Sequence, residues 1–282
     1  MIIHAITPIY IFTLGFSGDI CGIAYDIFGN VVLLNRGNHH WDMNTFDMRD
    51  QYTQDRNEPI SENTVITVNS TGHVISQWGS DFFFLPHMIT IDAENNVWIT
   101  DVAMHQVFKF GPYGGPDKKP LIELGTKFKP GNDIVHYCKP TAVAVMSDSR
   151  TFFVSDGYCN QRIIKYVIRS INEKGYHSVV KVSEFGANNI PFQPNVDKRV
   201  YNFKIPHALA LFENKQLICV ADRENRYVVT AKLVYICKTI FFFMSKGRVE
   251  SYKSKLTFTV YVGKGRKSTY KWIFLMQLTY YS

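Results

Sequence analysis

Val154-Ser155-Asp156-Gly157-Tyr158-Cys159-Asn160-Gln161-Arg162-Ile163 decides the fold, because it is one copy of a pattern that the chain repeats. Val97-Trp98-Ile99-Thr100-Asp101 precedes it, Ile218-Cys219-Val220-Ala221-Asp222-Arg223-Glu224-Asn225 follows it, and Val31-Val32-Leu33-Leu34-Asn35-Arg36-Gly37 is a weaker first copy. Each copy is a short apolar strand closed by a polar turn. Each also follows an upstream strand: Gly22-Ile23-Ala24-Tyr25-Asp26, Met88-Ile89-Thr90-Ile91-Asp92, Ala142-Val143-Ala144-Val145 or Ala208-Leu209-Ala210-Leu211. The turns joining the pairs are Phe28-Gly29-Asn30, Glu94-Asn95-Asn96, Ser147-Asp148-Ser149 and Glu213-Asn214-Lys215. Recurrent strand pairs with such turns are the blades of a β-propeller. Aromatic residues at 15% suit an all-β chain.

Aligning the copies on the turn residue exposes two slots. The first holds His87 after Pro86 and His207 after Pro206, with Thr141 after Pro140 and Cys21 in the other copies. The second, one step past the turn residue, holds Arg36 and Arg223, with Val102 and Gly157 elsewhere. Equivalent slots of successive blades are related by rotation about a central channel, so these residues are expected to converge with Tyr158 near the axis. A lone Pro-His is ordinarily a surface turn. Its recurrence in register turns the reading towards a site.

These stretches resemble peptidyl-α-hydroxyglycine α-amidating lyase, the lyase part of the peptide-amidating monooxygenase system. That family is a six-bladed propeller of the NHL-repeat type. The resemblance covers residues 31–225 and includes Arg36-Gly37-Asn38-His39-His40-Trp41-Asp42, Leu85-Pro86-His87, Thr100-Asp101-Val102-Ala103-Met104-His105-Gln106-Val107-Phe108-Lys109 and the two later copies. It implies cleavage of a peptidyl-α-hydroxyglycine into a peptide amide and glyoxylate. It implies His87 and His207 as two of three zinc ligands, and the carbonyls of Ile23 and Ile89 as calcium ligands. Tyr158 becomes the base on the substrate hydroxyl, with Arg36 favouring its phenolate, and Arg223 the partner of the substrate carboxylate. Cys138 and Cys159 become a disulfide beside the site, and Cys219 half of another. The chemistry asks for such groups: a Lewis acid on the oxygen of the developing aldehyde, a Tyr made basic by neighbouring positive charge, and an Arg fork for a carboxylate.

About four of six blades are recognisable, and the C-terminal ones are missing or replaced. Residues 17–225 are read as a partial lyase propeller. Residues 226–282 are read as foreign to it, a translated intron or frame error rather than a divergent C-terminus. They hold 11 Lys/Arg and one acid, a charge of +10, whereas the preceding residues sum to −3. No histidine follows His207, so the third zinc ligand lacks a candidate in register. His39, His40, His105 or Cys21 would have to be recruited, and the chain as written is expected to be inactive or poorly folded. The tail has neither blade repeat nor helical period, and nucleic-acid binding is discounted despite its charge. Residues 1–16 read as a first strand rather than a signal peptide.

No segment reads as a transmembrane helix, and a monomer is expected. Five cysteines and the sequon Asn69-Ser70-Thr71 suit a glycoprotein of the secretory pathway, in secretory granules or outside the cell. Residues 109–136 and 183–204 read as loops between blades. Two further functions fit a propeller: a non-catalytic NHL-type interaction module, and a calcium-dependent lactonase. The first needs none of the converging His, Arg and Tyr. The second asks for acidic and amide side chains that do not recur in the inward slots.

Overall fold

Sixteen strands form four sheets of four antiparallel strands each, in a computed structural model that describes residues 18–171, 177–186, 202–232, 240–243, 260–263 and 271–274. The first sheet contains β1 (Ile20–Tyr25), β2 (Val31–Asn35), β3 (Val65–Val68) and β4 (Val74–Trp78), hydrogen-bonded in that order. The second contains β5 (Pro86–Ile91), β6 (Val97–Asp101), β7 (Gln106–Phe110) and β8 (Ile122–Leu124). The third runs β9 (Pro140–Val145), β10 (Thr151–Asp156), β11 (Arg162–Ile171) and β12 (His177–Gly186). The fourth runs β13 (Pro206–Phe212), β14 (Leu217–Asp222), β15 (Tyr227–Lys232) and β16 (Ile240–Phe243). A separate pair joins β17 (Val260–Gly263) to β18 (Lys271–Phe274). The first strands of the four sheets stand side by side, β1 on β5, β5 on β9 and β9 on β13. These sheets are four blades of a β-propeller.

Apolar seams hold the blades face to face. Between blades one and two lie Val32, Leu34, Trp78, Phe83, Leu85 and Ile89. Trp98, Val107, Val143, Phe152 and Val154 fill the next seam, and Phe153, Ile163, Phe203, Val220 and Val229 the third. Alternation along β10 sends Phe152 and Val154 to one seam and Phe153 to the other. Strands buried on both faces therefore read as continuous apolar runs, which is why the repeat is visible in the sequence.

The structure departs from the sequence reading at the outer strands. Residues 109–136 are not wholly loop, because β8 lies within them and pairs with β7. The fourth blade continues past Asn225 through β15, which pairs with β14 from Leu217 opposite Lys232 to Asp222 opposite Tyr227. Cys219 is a buried free thiol in mid-strand, paired to Ala210 and Thr230 through its backbone, and not half of a disulfide. Residues 1–16 and Cys237 lie outside the described residues.

Candidate active site

The first slot is a β-bulge in all four blades. Strand pairing skips His87 between Pro86 and Met88, and His207 between Pro206 and Ala208. It likewise skips Cys21 between Ile20 and Gly22, and Thr141 between Pro140 and Ala142. A bulge takes one residue out of the ladder and re-aims its side chain. The second slot is regular in blades one, two and four: the backbone N–H of Arg36, Val102 and Arg223 donates to the carbonyl of Asp19, Leu85 and Ile205, respectively, at 3.0, 3.1 and 2.9 Å. Register in the sequence thus becomes register in space.

His87 and His207 meet, their rings 4.9 Å apart. His87 Nδ1 donates to the Thr141 carbonyl (3.1 Å), which leaves Nε2 as the acceptor. The Tyr158 hydroxyl donates to that nitrogen at 2.9 Å, and His207 Nε2 lies 3.1 Å from the same oxygen. Arg223 Nη1 donates to it at 3.2 Å, and its guanidinium lies 5.1 Å from the Tyr158 ring centre. Arg36 comes from the other side, donating through Nε to the Pro86 carbonyl at 2.9 Å and lying 5.6 Å from the Trp41 ring centre. Trp41 in turn rests on Tyr158 with ring centres 4.8 Å apart. Sequence reading gave Trp41 no part in the site, and no repeat slot contains it.

Burial, with the Arg223 and Arg36 charges behind it, pushes His207 down to about 3. Burial, the neighbouring His207 and Arg36 hold His87 well below its ordinary value. Both imidazoles are therefore neutral at pH 7, the form that binds a metal. Burial also raises Tyr158, while Arg223 and Arg36 pull it back. Cys138 and Cys159 form a disulfide that clamps the segment carrying Tyr158. One Asp50 carboxylate oxygen lies within 4.8 Å of both sulfurs, but oxidised sulfurs are not thiolate ligands, and Lys139 Nζ takes that carboxylate at 2.6 Å.

The other donors considered as ligands point elsewhere. His39 Nδ1 is 2.7 Å from the Phe84 carbonyl, His40 faces Asp19 at 3.8 Å, and His105 Nδ1 accepts the Lys139 backbone N–H at 3.0 Å. Cys21 donates to the Leu34 carbonyl at 3.4 Å, its thiol pushed up to about 12 by burial. Ile23 and Ile89 lie on the adjacent first strands β1 and β5, paired within their blades to Leu33 and Ile99.

No family model matches the chain. It is 46% identical over 210 residues to peptidyl-alpha-hydroxyglycine alpha-amidating lyase 1 of Drosophila melanogaster, covering 74% of this chain and 36% of that protein. It is 39% identical over 216 residues to the lyase 2 of the same organism, covering 76% and 48%. A probable lyase of this name from Caenorhabditis elegans is 34% identical over 211 residues, covering 75% and 55%. Over these residues the chain is similar to the peptidyl-alpha-hydroxyglycine alpha-amidating lyases. It spans between about a third and just over half of the length of these curated relatives.

Proposed function

We propose that the chain carries the catalytic face of a lyase that converts a peptidyl-α-hydroxyglycine into a peptide amide and glyoxylate. The observation that carries this reading is the Tyr158 hydroxyl held within 3.1 Å of both His87 Nε2 and His207 Nε2, with Arg223 on the same oxygen. Two neutral imidazoles aimed at one point, one of them fixed through Nδ1, fit two ligands of a zinc ion. When bound, zinc would supply a Lewis acid for the oxygen that becomes the aldehyde. Tyr158 takes the proton of the substrate hydroxyl, the C–N bond breaks with its electrons moving to nitrogen, and the proton returns to the departing amide. Arg223 and Arg36 lower the cost of the phenolate, and a guanidinium fork here suits the glyoxylyl carboxylate.

Calcium held in part by the carbonyls of Ile23 and Ile89 belongs to the same reading, as a brace between blades one and two. So does passage through the secretory pathway. The Cys138–Cys159 disulfide and the turn carrying Asn69-Ser70-Thr71 between β3 and β4 support it.

Zinc at catalytic sites takes three protein ligands, and two histidines converge among the described residues, so weak zinc binding and little turnover are expected of the chain as written. The test is zinc-dependent glyoxylate release from an α-hydroxyglycine peptide by the full chain, with zinc uptake measured alongside. His207→Ala should abolish uptake. Tyr158→Phe should keep it but lower release at least about 100-fold. Uptake by His87→Ala and His207→Ala equal to the parent's would refute the metal assignment, and Tyr158→Phe releasing glyoxylate at the parent's rate would refute that of the base.

A further inference from the structure

Thr141 occupies, in blade three, the bulge slot that holds His87 and His207 in blades two and four. It is fully buried and hydrogen-bonded to both of those blades. Its polar atoms reach both histidine segments. The carbonyl accepts His87 Nδ1–H at 3.1 Å. The hydroxyl donates to the Pro206 carbonyl at 2.7 Å, with the Ser155 carbonyl further off at 3.1 Å. A hydroxyl has one proton, and the shorter contact takes it. Pro206 immediately precedes His207, so this bond anchors the peptide from which the second imidazole projects.

We propose that Thr141 is a positioning residue for both histidines, its carbonyl fixing the tautomer of His87 and its hydroxyl fixing the Pro206–His207 peptide. The metal part of this inference rests on the zinc reading given above; the geometric part does not. The bulge that aims a ligand into the channel in two blades is used in the blade between them as a brace. Ser155 Oγ also donates to the Pro206 carbonyl at 2.7 Å. Removing the Thr141 hydroxyl therefore leaves that oxygen partnered, and the fold should tolerate the change.

The experiment compares Thr141→Val, of equal shape without the donor, with Thr141→Ser, which keeps it. In metal-free full chain, ring-nitrogen resonances report each imidazole separately. Thr141→Val should move those of His207 and spare those of His87, whose partner is a backbone carbonyl; Thr141→Ser should restore them. Zinc affinity, measured by chelator competition, should fall roughly 10–100-fold in Thr141→Val and recover in Thr141→Ser. Unchanged His207 resonances in Thr141→Val, or a Ser variant as perturbed as the Val variant, would overturn the proposal. If the parent chain takes up no zinc, the zinc reading fails, and the ring resonances still decide the role of Thr141.

Discussion

Gly157 occupies the slot that holds arginine in blades one and four, and the reason is steric. A Cβ there would overlap the Pro206 carbonyl oxygen and sit 3.1 Å from Thr141 Cγ2. Only a bare Cα lets blade three approach blade four closely enough for Tyr158 to reach His207. Gly157→Ala should cost about 1–3 kcal/mol, the usual range for overpacking a filled interior, and should part Tyr158 from His207. Urea midpoints of parent and variant measure it, and equal midpoints would show that the contact is not tight. The sequence makes the slot legible but not this cause: Gly157 reads there as an arginine that is absent. His87 and His207 are legible because they recur in register. Trp41 is not, because it reaches Tyr158 from the irregular segment between β2 and β3, where no period marks it.

At the scale of the element, the acid closing the second strand of a blade acts as a staple. Asp101 Oδ2 accepts the backbone N–H groups of Phe84 and Leu85 at 2.8 and 2.9 Å, while Oδ1 accepts those of Ala103 and Met104 at 2.9 Å. It thereby ties the end of β6 to the entry of β5, one residue before Pro86-His87. Asp222 repeats this with Lys204 and Ile205, both at 3.0 Å. Asp101→Ala would strand four buried donors and should destabilise the fold by on the order of 3 kcal/mol or more. Thermal or urea unfolding checks this, and a loss below about 1 kcal/mol would mean that water or a rearranged loop replaces the carboxylate. The aspartates were legible as turn markers, though their partners were not. The outer strands were the least legible: β8 has three residues, and β4 is exposed at Val74 and Ile75, so neither carries the doubly buried apolar run of β10.

Across the whole molecule, buried histidines link assembly to pH. His105 accepts the Lys139 backbone N–H across the seam between blades two and three. Burial, helped by the Lys139 charge, pushes it down to about 4. His87 and His207 shift in the same direction. The unfolded chain takes up these protons near pH 6.5 and the folded one only well below it. The stability contribution is therefore complete above about pH 6.5 and drains away as pH falls towards 4, at up to about 1.4 kcal/mol per unit for His105. Urea midpoints of metal-free protein between pH 7.5 and 4.5 should fall accordingly, and His105→Gln should flatten part of the slope. A slope identical in His105→Gln would remove His105 from the account.

The candidate site has a consequence for how such a protein is made. Trp41 and Arg36 come from blade one, His87 from blade two, Tyr158 from blade three, and His207 with Arg223 from blade four. No single blade contains a working fragment of this constellation. On the proposed lyase reading, turnover at Tyr158 would report that four separate modules have arrived and locked. On that reading a nascent, nicked or misassembled chain would be silent rather than partly active, and turnover would serve as an inspection of the finished fold.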